Sequence, residues 1–146
     1  MDFHPLTLSD REAMQDVTLN AGRRNCNYTF ANLIGWQFWY KTEVCVLQDA
    51  VVLRYIYEGE RAYTVCMADN LNDELIRALL ADSGGKLTVY ALEDSQVSAL
   101  SSFKIDSEPM PDLFDYIYRR SDLASPYHLH GLRRCIARAD DWQIVG

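Results

Sequence analysis

The order of extended and helical patterns along the chain is the feature that most limits its fold. Three extended runs rich in β-branched and aromatic residues follow one another, separated by turns at Gln48-Asp49 and Glu58-Gly59, which predicts an antiparallel meander. Helices and further strands flank the meander, which predicts a mixed sheet covered by helices, of the α+β class and not a doubly wound parallel fold. The predicted strands are 3–8, 43–47, 50–57, 61–67, 87–91, 103–107 and 114–119, and the predicted helices are 9–22, 29–40, 73–81, 94–102 and 129–138.

Several helix ends carry capping signals. Ser9 is followed three residues later by Glu12, which is the pattern of a capping box. Thr29 stands at the start of the second helix, and Asn70 or Asn72 can cap the third. The pair Gly84-Gly85 predicts a glycine cap at the end of the third helix.

The second helix carries unusually many aromatic residues. Its apolar positions are too crowded for one stripe, so the pattern predicts a helix that is buried on most sides. The alternative is that some of these side chains line a groove or an interface, with Tyr28, Trp36, Trp39 and Tyr40 as candidates. A symmetric homodimer would cover such an apolar surface.

Charge limits the classes of partner. The 146 residues, predicted to form one domain over 1–146, carry a formal charge of −7. This acidity argues against DNA and against general nucleic-acid binding, which needs a basic surface. Five arginines nevertheless lie between Arg119 and Arg138 with a single acid, Asp122. They form either a solvated helix face or an anion site for phosphate or RNA.

The cysteines indicate neither a metal site nor disulfide bonds. Cys26, Cys45, Cys66 and Cys135 include no pair with C-x-x-C spacing, and two of them fall in apolar strands, which favours a reducing, cytoplasmic compartment. The N-terminus lacks the pattern of a signal peptide, and no window has the ~18–20 apolar residues that cross a bilayer. We therefore expect no transmembrane segment and no metal.

Two motifs resemble a known family. The first runs from Asn25 to Trp36 and continues into Tyr40-Lys41-Thr42-Glu43, and the second is Asp115-Tyr116-Ile117-Tyr118 with Asp122-Leu123-Ala124. Both are similar to the family typified by the C-terminal domain of phosphatidylglycerol lysyltransferase, whose members carry two GNAT-like halves in tandem. The resemblance covers the whole chain but only the N-terminal half of the family pattern. It implies a GNAT-like acyltransferase fold.

The same resemblance implies a basic anion-binding segment. The family pattern Lys-Lys-x-His-x-Lys-Arg-Asn falls on residues 127–134, where His130 and Arg133 match and the lysines and the asparagine do not. His130, Arg133, Arg134 and Arg138 are the candidate substrate-binding or anion-binding residues, and no catalytic residue is identified. In the family, an aminoacyl group moves from a charged transfer RNA to phosphatidylglycerol or a similar acceptor.

One motif of self-sufficient GNAT enzymes is missing. Their glycine-rich turn binds the coenzyme A diphosphate at a helix N-terminus, but the corresponding residues 67–73 contain no glycine and include Asp69 and Asp73. We therefore expect no acyl-CoA cofactor and no catalysis by this chain alone. Activity would need a homodimer partner or a separate C-terminal half. The alternatives are a purely structural or interaction module and an acyl-CoA-dependent N-acyltransferase with an atypical site.

Overall fold

The computed structural model describes residues 1–22, 25–67, 71–100, 102–103 and 105–111. The chain packs into two compact units, Met1–Pro109 and Met110–Gly146. The description below is of the first unit. The strand predicted at 114–119 and the helix predicted at 129–138 lie outside the described residues, and the assignment of 1–146 to one domain stays a prediction.

The sheet of the first unit is an antiparallel meander of four strands in the order β1-β2-β3-β4. The predicted three-strand meander is confirmed, and the strand predicted at 3–8 is reduced to two residues that pair with it antiparallel. The strands are β1 (His4–Pro5), β2 (Glu43–Val46), β3 (Ala50–Tyr57) and β4 (Glu60–Met67). Strand β3 pairs along its whole length with β4, from Ala50 opposite Met67 to Tyr57 opposite Glu60. Glu58 and Gly59 connect β3 to β4 with φ angles of 51° and 84°. Positive φ at both central residues is the turn geometry that matches the twist of paired strands.

Helices α1 (Arg11–Asn20) and α2 (Phe30–Tyr40) come between β1 and β2. The capping box of the first helical segment is not at Ser9 and Glu12, as predicted, but begins at Thr7, whose backbone N–H donates to Asp10 Oδ2 at 2.7 Å. A short 3-10 turn, Leu8–Asp10, then leads into α1. Thr29 is the N-cap residue of α2, as predicted.

Helix α3 (Asp73–Ser83) confirms both of its predicted caps and runs two residues beyond its predicted end at Ala81. Asn72 Oδ1 accepts a hydrogen bond from the backbone N–H of Leu75 at 2.9 Å, and Gly84 ends the helix with a φ of 74°. Helix α4 (Asp94–Ala99) is shorter than predicted. At its start, the backbone N–H of Glu93 donates to Gln96 Oε1 at 3.1 Å.

The sheet separates two hydrophobic clusters. Val44, Val51 and Leu53 pack with the α1 and α2 residues Met14 and Phe30 on one face. On the other face, α3 packs its buried residues against alternate strand residues; this cluster includes Cys45, Val52, Tyr63, Val65, Leu75, Ile76 and Leu79. Because side chains along a strand alternate between faces, the apolar runs of β2 and β3 supply both clusters, whereas β4 supplies the cluster on the α3 side. Helices therefore cover the sheet on both sides, as the mixed α+β class requires.

The strand predicted at 87–91 is reduced to one parallel bridge, between Tyr63 and Val89. Tyr63 N–H donates to Thr88 O at 3.0 Å, and Tyr90 N–H donates to Tyr63 O at 2.8 Å. Ala91 then adopts a left-handed φ of 61°, which ends the extended segment. The strand predicted at 103–107 is wrong as far as residues 103 and 105–107 are described, since none of them is in a strand.

Candidate functional site

The outer surface of α2 exposes three large aromatic side chains. Trp36 is 55% exposed, Phe38 90% and Trp39 75%. The expectation that this helix is buried on most sides is therefore wrong, since Phe30 is its one buried residue. The crowded apolar pattern divides into an inner stripe that packs on the sheet and an outer stripe that meets solvent.

The outer stripe combines large and small residues. At about 100° per residue, Gly35 lies between Phe38 and Trp39 around the helix, and Ala31 lies one turn before Gly35. Gly35 and Ala31 are exposed, and a Cβ placed on Gly35 would meet no atom within 4 Å. We call the surface formed by Ala31, Gly35, Trp36, Phe38 and Trp39 the α2 aromatic surface. None of the eleven residues of α2 is charged.

A second aromatic group adjoins this surface. We call Tyr40, Tyr55, Tyr57 and Tyr90 the tyrosine cluster. The Tyr40 ring centroid lies 6.2 Å from that of Tyr55 and 6.4 Å from that of Tyr57, and the Tyr57 and Tyr90 centroids are 5.0 Å apart. All four side chains are half-buried. Trp36, with its ring centroid 6.2 Å from that of Tyr40, joins the cluster to the α2 aromatic surface.

Burial raises the pKa of two phenols of this cluster, Tyr55 and Tyr90. It raises the pKa of Tyr55 to about 12, although the hydroxyl contact with Thr64 Oγ1 at 2.9 Å acts in the opposite direction. Burial also raises the pKa of Tyr90, and the nearby Tyr57 phenol and three carboxylates add to the effect. Those carboxylates belong to Glu58, Glu60 and Glu108. Tyr55 and Tyr90 are therefore held in their neutral forms, and three carboxylates act on Tyr90.

A polar network lies on the opposite face of the sheet, against the end of α3. Arg54 donates from Nε to Glu43 Oε2 at 2.8 Å and from Nη1 to both carboxylate oxygens of Asp82, at 2.9 and 3.0 Å. Tyr63 donates its hydroxyl to Asp82 Oδ2 at 2.6 Å. The Arg54 guanidinium also lies 4.1 Å from the centroid of the Phe3 ring. The polar groups of this network satisfy one another's hydrogen-bonding capacity, so none of them is left as a reactive group. The network also joins β2, β3 and β4 to α3.

The described ranges hold no metal site and include one small cleft at the surface. A shallow cleft of about 220 Å³ lies between the end of α1 and the β2–β3 turn. Its size is below the ~300–1,000 Å³ of typical ligand pockets. No group of three or more His, Cys, Asp or Glu side chains in the described part of the chain could hold a metal ion. Of the helices within those residues, none has the length and apolar character needed to cross a bilayer.

The structure places the interface residues predicted from the sequence in three environments, which are exposed, half-buried and buried. Trp36 and Trp39 are exposed on α2, and Tyr40 is half-buried in the tyrosine cluster. Tyr28 is instead buried in the core, where its hydroxyl donates to Ala91 O at 2.7 Å. The anion-site candidates His130, Arg133, Arg134 and Arg138 lie outside the described residues.

Sequence reasoning missed the other members of the cluster. Tyr55, Tyr57 and Tyr90 read only as strand residues, because tyrosine is common in strands. For Tyr57, a usable signal was its position directly before the Glu58-Gly59 turn.

Comparison with known proteins shows a structural relative but no family. No protein-family model matches the sequence, and no curated protein matches it. Among solved structures, the chain is similar to a conserved protein of unknown function from Bacteroides thetaiotaomicron VPI-5482, with a TM-score of 0.77 and 26% sequence identity. The match covers 94% of this chain and 49% of that one, so this chain spans about half the length of its structural relative. The likeness assigns no activity.

Proposed function

We propose that this chain is a GNAT-like interaction unit, related to the N-terminal half of the phosphatidylglycerol lysyltransferase-like proteins, that transfers no group by itself. It acts by pairing with a second copy through the α2 aromatic surface. The observation that carries the proposal is the exposure of Trp36, Phe38 and Trp39 on one helix.

The area of the surface fits a weak, reversible dimer. With ~150–250 Å² for each aromatic side chain, the three exposed residues offer about 400–500 Å² per copy. Two copies would bury about 900 Å² through these side chains alone, close to the ~1,000 Å² expected of a biological interface. Gly35 and Ala31 add to this area and let two helices approach closely, with Trp39 of each copy against Gly35 of the other. Such an arrangement is self-complementary, as a two-fold interface must be.

The distribution of charge favours a second copy as the partner. Each chain carries a formal charge of −7, so most approaches of two copies are opposed by like-charge repulsion. Helix α2 has no charged residue, and its surface avoids that repulsion. A partner recognised through charge would instead need basic residues that face acidic residues of this chain.

The relation to GNAT-like proteins is supported by the order of elements and by the parallel bridge that follows the meander. The Bacteroides chain is about twice the length matched here, which agrees with a unit that corresponds to half of a larger protein. At the start of α3, the Asn72 side chain occupies the Leu75 N–H, and Asp73 and Glu74 lie in the first turn. This acidic helix start would repel a diphosphate, which supports the proposal that the unit uses no acyl-CoA.

Light scattering coupled to size exclusion, over a series of protein concentrations, tests the pairing. The native chain should move from 16.8 kDa towards twice that mass as its concentration rises. The Phe38→Gln, Trp39→Gln double variant should stay at the lower mass. Leu19→Gln is a matched control, because Leu19 is 76% exposed but lies on α1. The control should dimerise like the native chain.

Circular dichroism should confirm that all three proteins keep the same helix content. A native chain that stays monomeric at every concentration would refute the proposal. So would a double variant that dimerises as well as the native protein.

A further inference from the structure

The tyrosine cluster is built from three chain segments that end at the same place. Tyr40 is the last residue of α2, Tyr57 is the last residue of β3, and Tyr90 ends the extended segment beside β4. Residues far apart in the sequence therefore bring their rings together at one rim of the sheet. This convergence is independent of the exposed α2 residues that carry the proposed function.

The backbone turns sharply after each of these tyrosines. Within the described residues, the non-glycine positions with positive φ are Lys41 at 51°, Glu58 at 51° and Ala91 at 61°. Each directly follows a tyrosine of the cluster. Lys41 caps a helix and Glu58 belongs to a hairpin turn, so both have a local reason for this conformation. Ala91 belongs to neither a helix cap nor a hairpin turn. Backbone strain of this kind tends to be retained where a structure must hold side chains in place.

Strand β4 supplies small side chains beneath the rings. Ala62 lies opposite Tyr55 in the β3–β4 register, and both side chains point to the α2 face of the sheet. Thr64, two residues on, shares that face and contacts the Tyr55 hydroxyl through its Oγ1 at 2.9 Å. The half-buried rings of Tyr40, Tyr57 and Tyr90 keep part of their surface open to solvent.

The charges around the cluster favour a cation. Glu58 follows Tyr57 directly, and Glu58, Glu60 and Glu108 all act on Tyr90 electrostatically. Lys86 Nζ pairs with Glu60 Oε2 at 2.8 Å and compensates one of the three carboxylates. Lys41, which directly follows Tyr40, offsets a second, so these five charged residues leave one negative charge in excess. The π faces of neutral phenol rings carry negative partial charge and attract cations.

We propose that the tyrosine cluster binds an alkylammonium group, held against the faces of Tyr40, Tyr57 and Tyr90 and attracted by Glu58 and Glu108. Groups of aromatic rings with nearby carboxylates recognise quaternary and methylated ammonium ions in this way. The group is either a free small molecule or the end of a lysine side chain. The chemistry of recognition is the same for both.

Titrations followed by NMR chemical shifts test this proposal on the full chain. The probes are choline, its neutral isostere 3,3-dimethylbutanol, and the acetylated amides of lysine and trimethyl-lysine. Choline or a lysine amide should give saturable shifts at the cluster, and the neutral isostere should not. Tighter binding of choline identifies a free small molecule as the source, and tighter binding of either lysine amide identifies a side chain.

Variants separate recognition by the rings from a general effect on folding. Tyr57→Leu and Tyr90→Leu should each weaken ammonium binding about tenfold, since each removes one π face. Tyr57→Phe keeps the ring and should bind like the native chain. Ile56→Leu is the control, because Ile56 points to the other face of β3 and is 42% exposed.

Three results would overturn the proposal. The first is equal binding of choline and its neutral isostere, and the second is an equal loss of binding in Tyr57→Phe and Tyr57→Leu. The third is the absence of saturable shifts with every ammonium probe. Because neither Tyr57 nor Tyr90 belongs to the α2 aromatic surface, these results are distinguishable from a failure of self-association.

Discussion

Replacing Asp82 by Asn should destabilise the protein well beyond an ordinary surface substitution. The Asp82 carboxylate accepts two hydrogen bonds from Arg54 Nη1 and one from the Tyr63 hydroxyl. Its side chain is 16% exposed and that of Arg54 is 19% exposed, so solvent screens the ion pair only in part. Asparagine keeps the shape of the side chain but has one acceptor oxygen and no charge. The three incoming hydrogen bonds can no longer all be accepted.

The expected cost follows from these contacts. Leaving a buried donor unsatisfied costs ~1–3 kcal/mol, and hydrogen bonds to charged groups contribute ~1.5–3 kcal/mol each. The contributions are not additive, because Arg54 retains its contact with Glu43 and the new amide oxygen still accepts one bond. We expect the free energy of unfolding to fall by about 2 kcal/mol.

The matched control is Glu60→Gln, which removes the ion pair with Lys86. The Lys86 and Glu60 side chains are 77% and 65% exposed, so this pair should contribute less than ~0.5 kcal/mol. Urea denaturation at pH 7, followed by circular dichroism, measures both variants against the native protein. A cost for Asp82→Asn no larger than that for Glu60→Gln would show that the network does not stabilise the fold.

The pH dependence gives a second measure of the same network. Burial acts to raise the pKa of Asp82, but the hydrogen bonds from Tyr63 and Arg54 outweigh it, so its pKa lies below 3.8. A depressed pKa in the folded state means that the stabilisation is present above pH 3.8 and is lost as the pH falls through the folded pKa. The difference between the native chain and Asp82→Asn should therefore shrink in acid. A difference that is constant down to pH 2 would contradict the assignment of the effect to this carboxylate.

Two further predictions concern single groups. Gly35→Ala should raise the free energy of unfolding of the monomer by ~0.5–1 kcal/mol, because the position is helical and a Cβ meets nothing there; an unchanged or lower urea midpoint would count against it. In an alkaline absorbance titration, Tyr55 and Tyr63 should ionise near pH 12 and not near pH 10, since burial raises the pKa of both. Folding favours the neutral forms of both phenols, so the free energy of unfolding should fall as the pH rises from about 10 to 12. Ionisation of every phenol near pH 10 in the folded chain would contradict this prediction.

Local sequence patterns were sufficient to predict most strands and helices of the first unit. The meander was predictable because β-branched and aromatic runs were separated by short turns, and Glu58-Gly59 supplied the left-handed residues that such a turn needs. Helix α3 was predictable because a cap at Asn72, a regular apolar stripe and a stop at Gly84 all agree. The start of α1 was harder to place, since Thr7 with Asp10 and Ser9 with Glu12 both offer capping chemistry within one turn.

The site depended on tertiary contacts that no local pattern contains. The composition of α2 indicates an apolar helix but not which of its faces the sheet covers, and the second face stays exposed. The residues of the tyrosine cluster are brought together by strand register and by the single bridge at Val89. The segment 87–91 has the composition of a full strand, yet the left-handed Ala91 ends it after a single bridge.

The division of the core into two hydrophobic clusters lets substitutions in one cluster act separately from substitutions in the other. Val51 and Val52 are neighbours in sequence, but Val51 packs with α1 and α2 while Val52 packs with α3. Because the two side chains pack in different clusters, a substitution in one layer changes few side-chain contacts of the other. Selection can therefore alter the α1–α2 layer, and the aromatic residues that it carries, against a constant background of strands and α3. A lineage that keeps this sheet is free to change what its outer helix contacts.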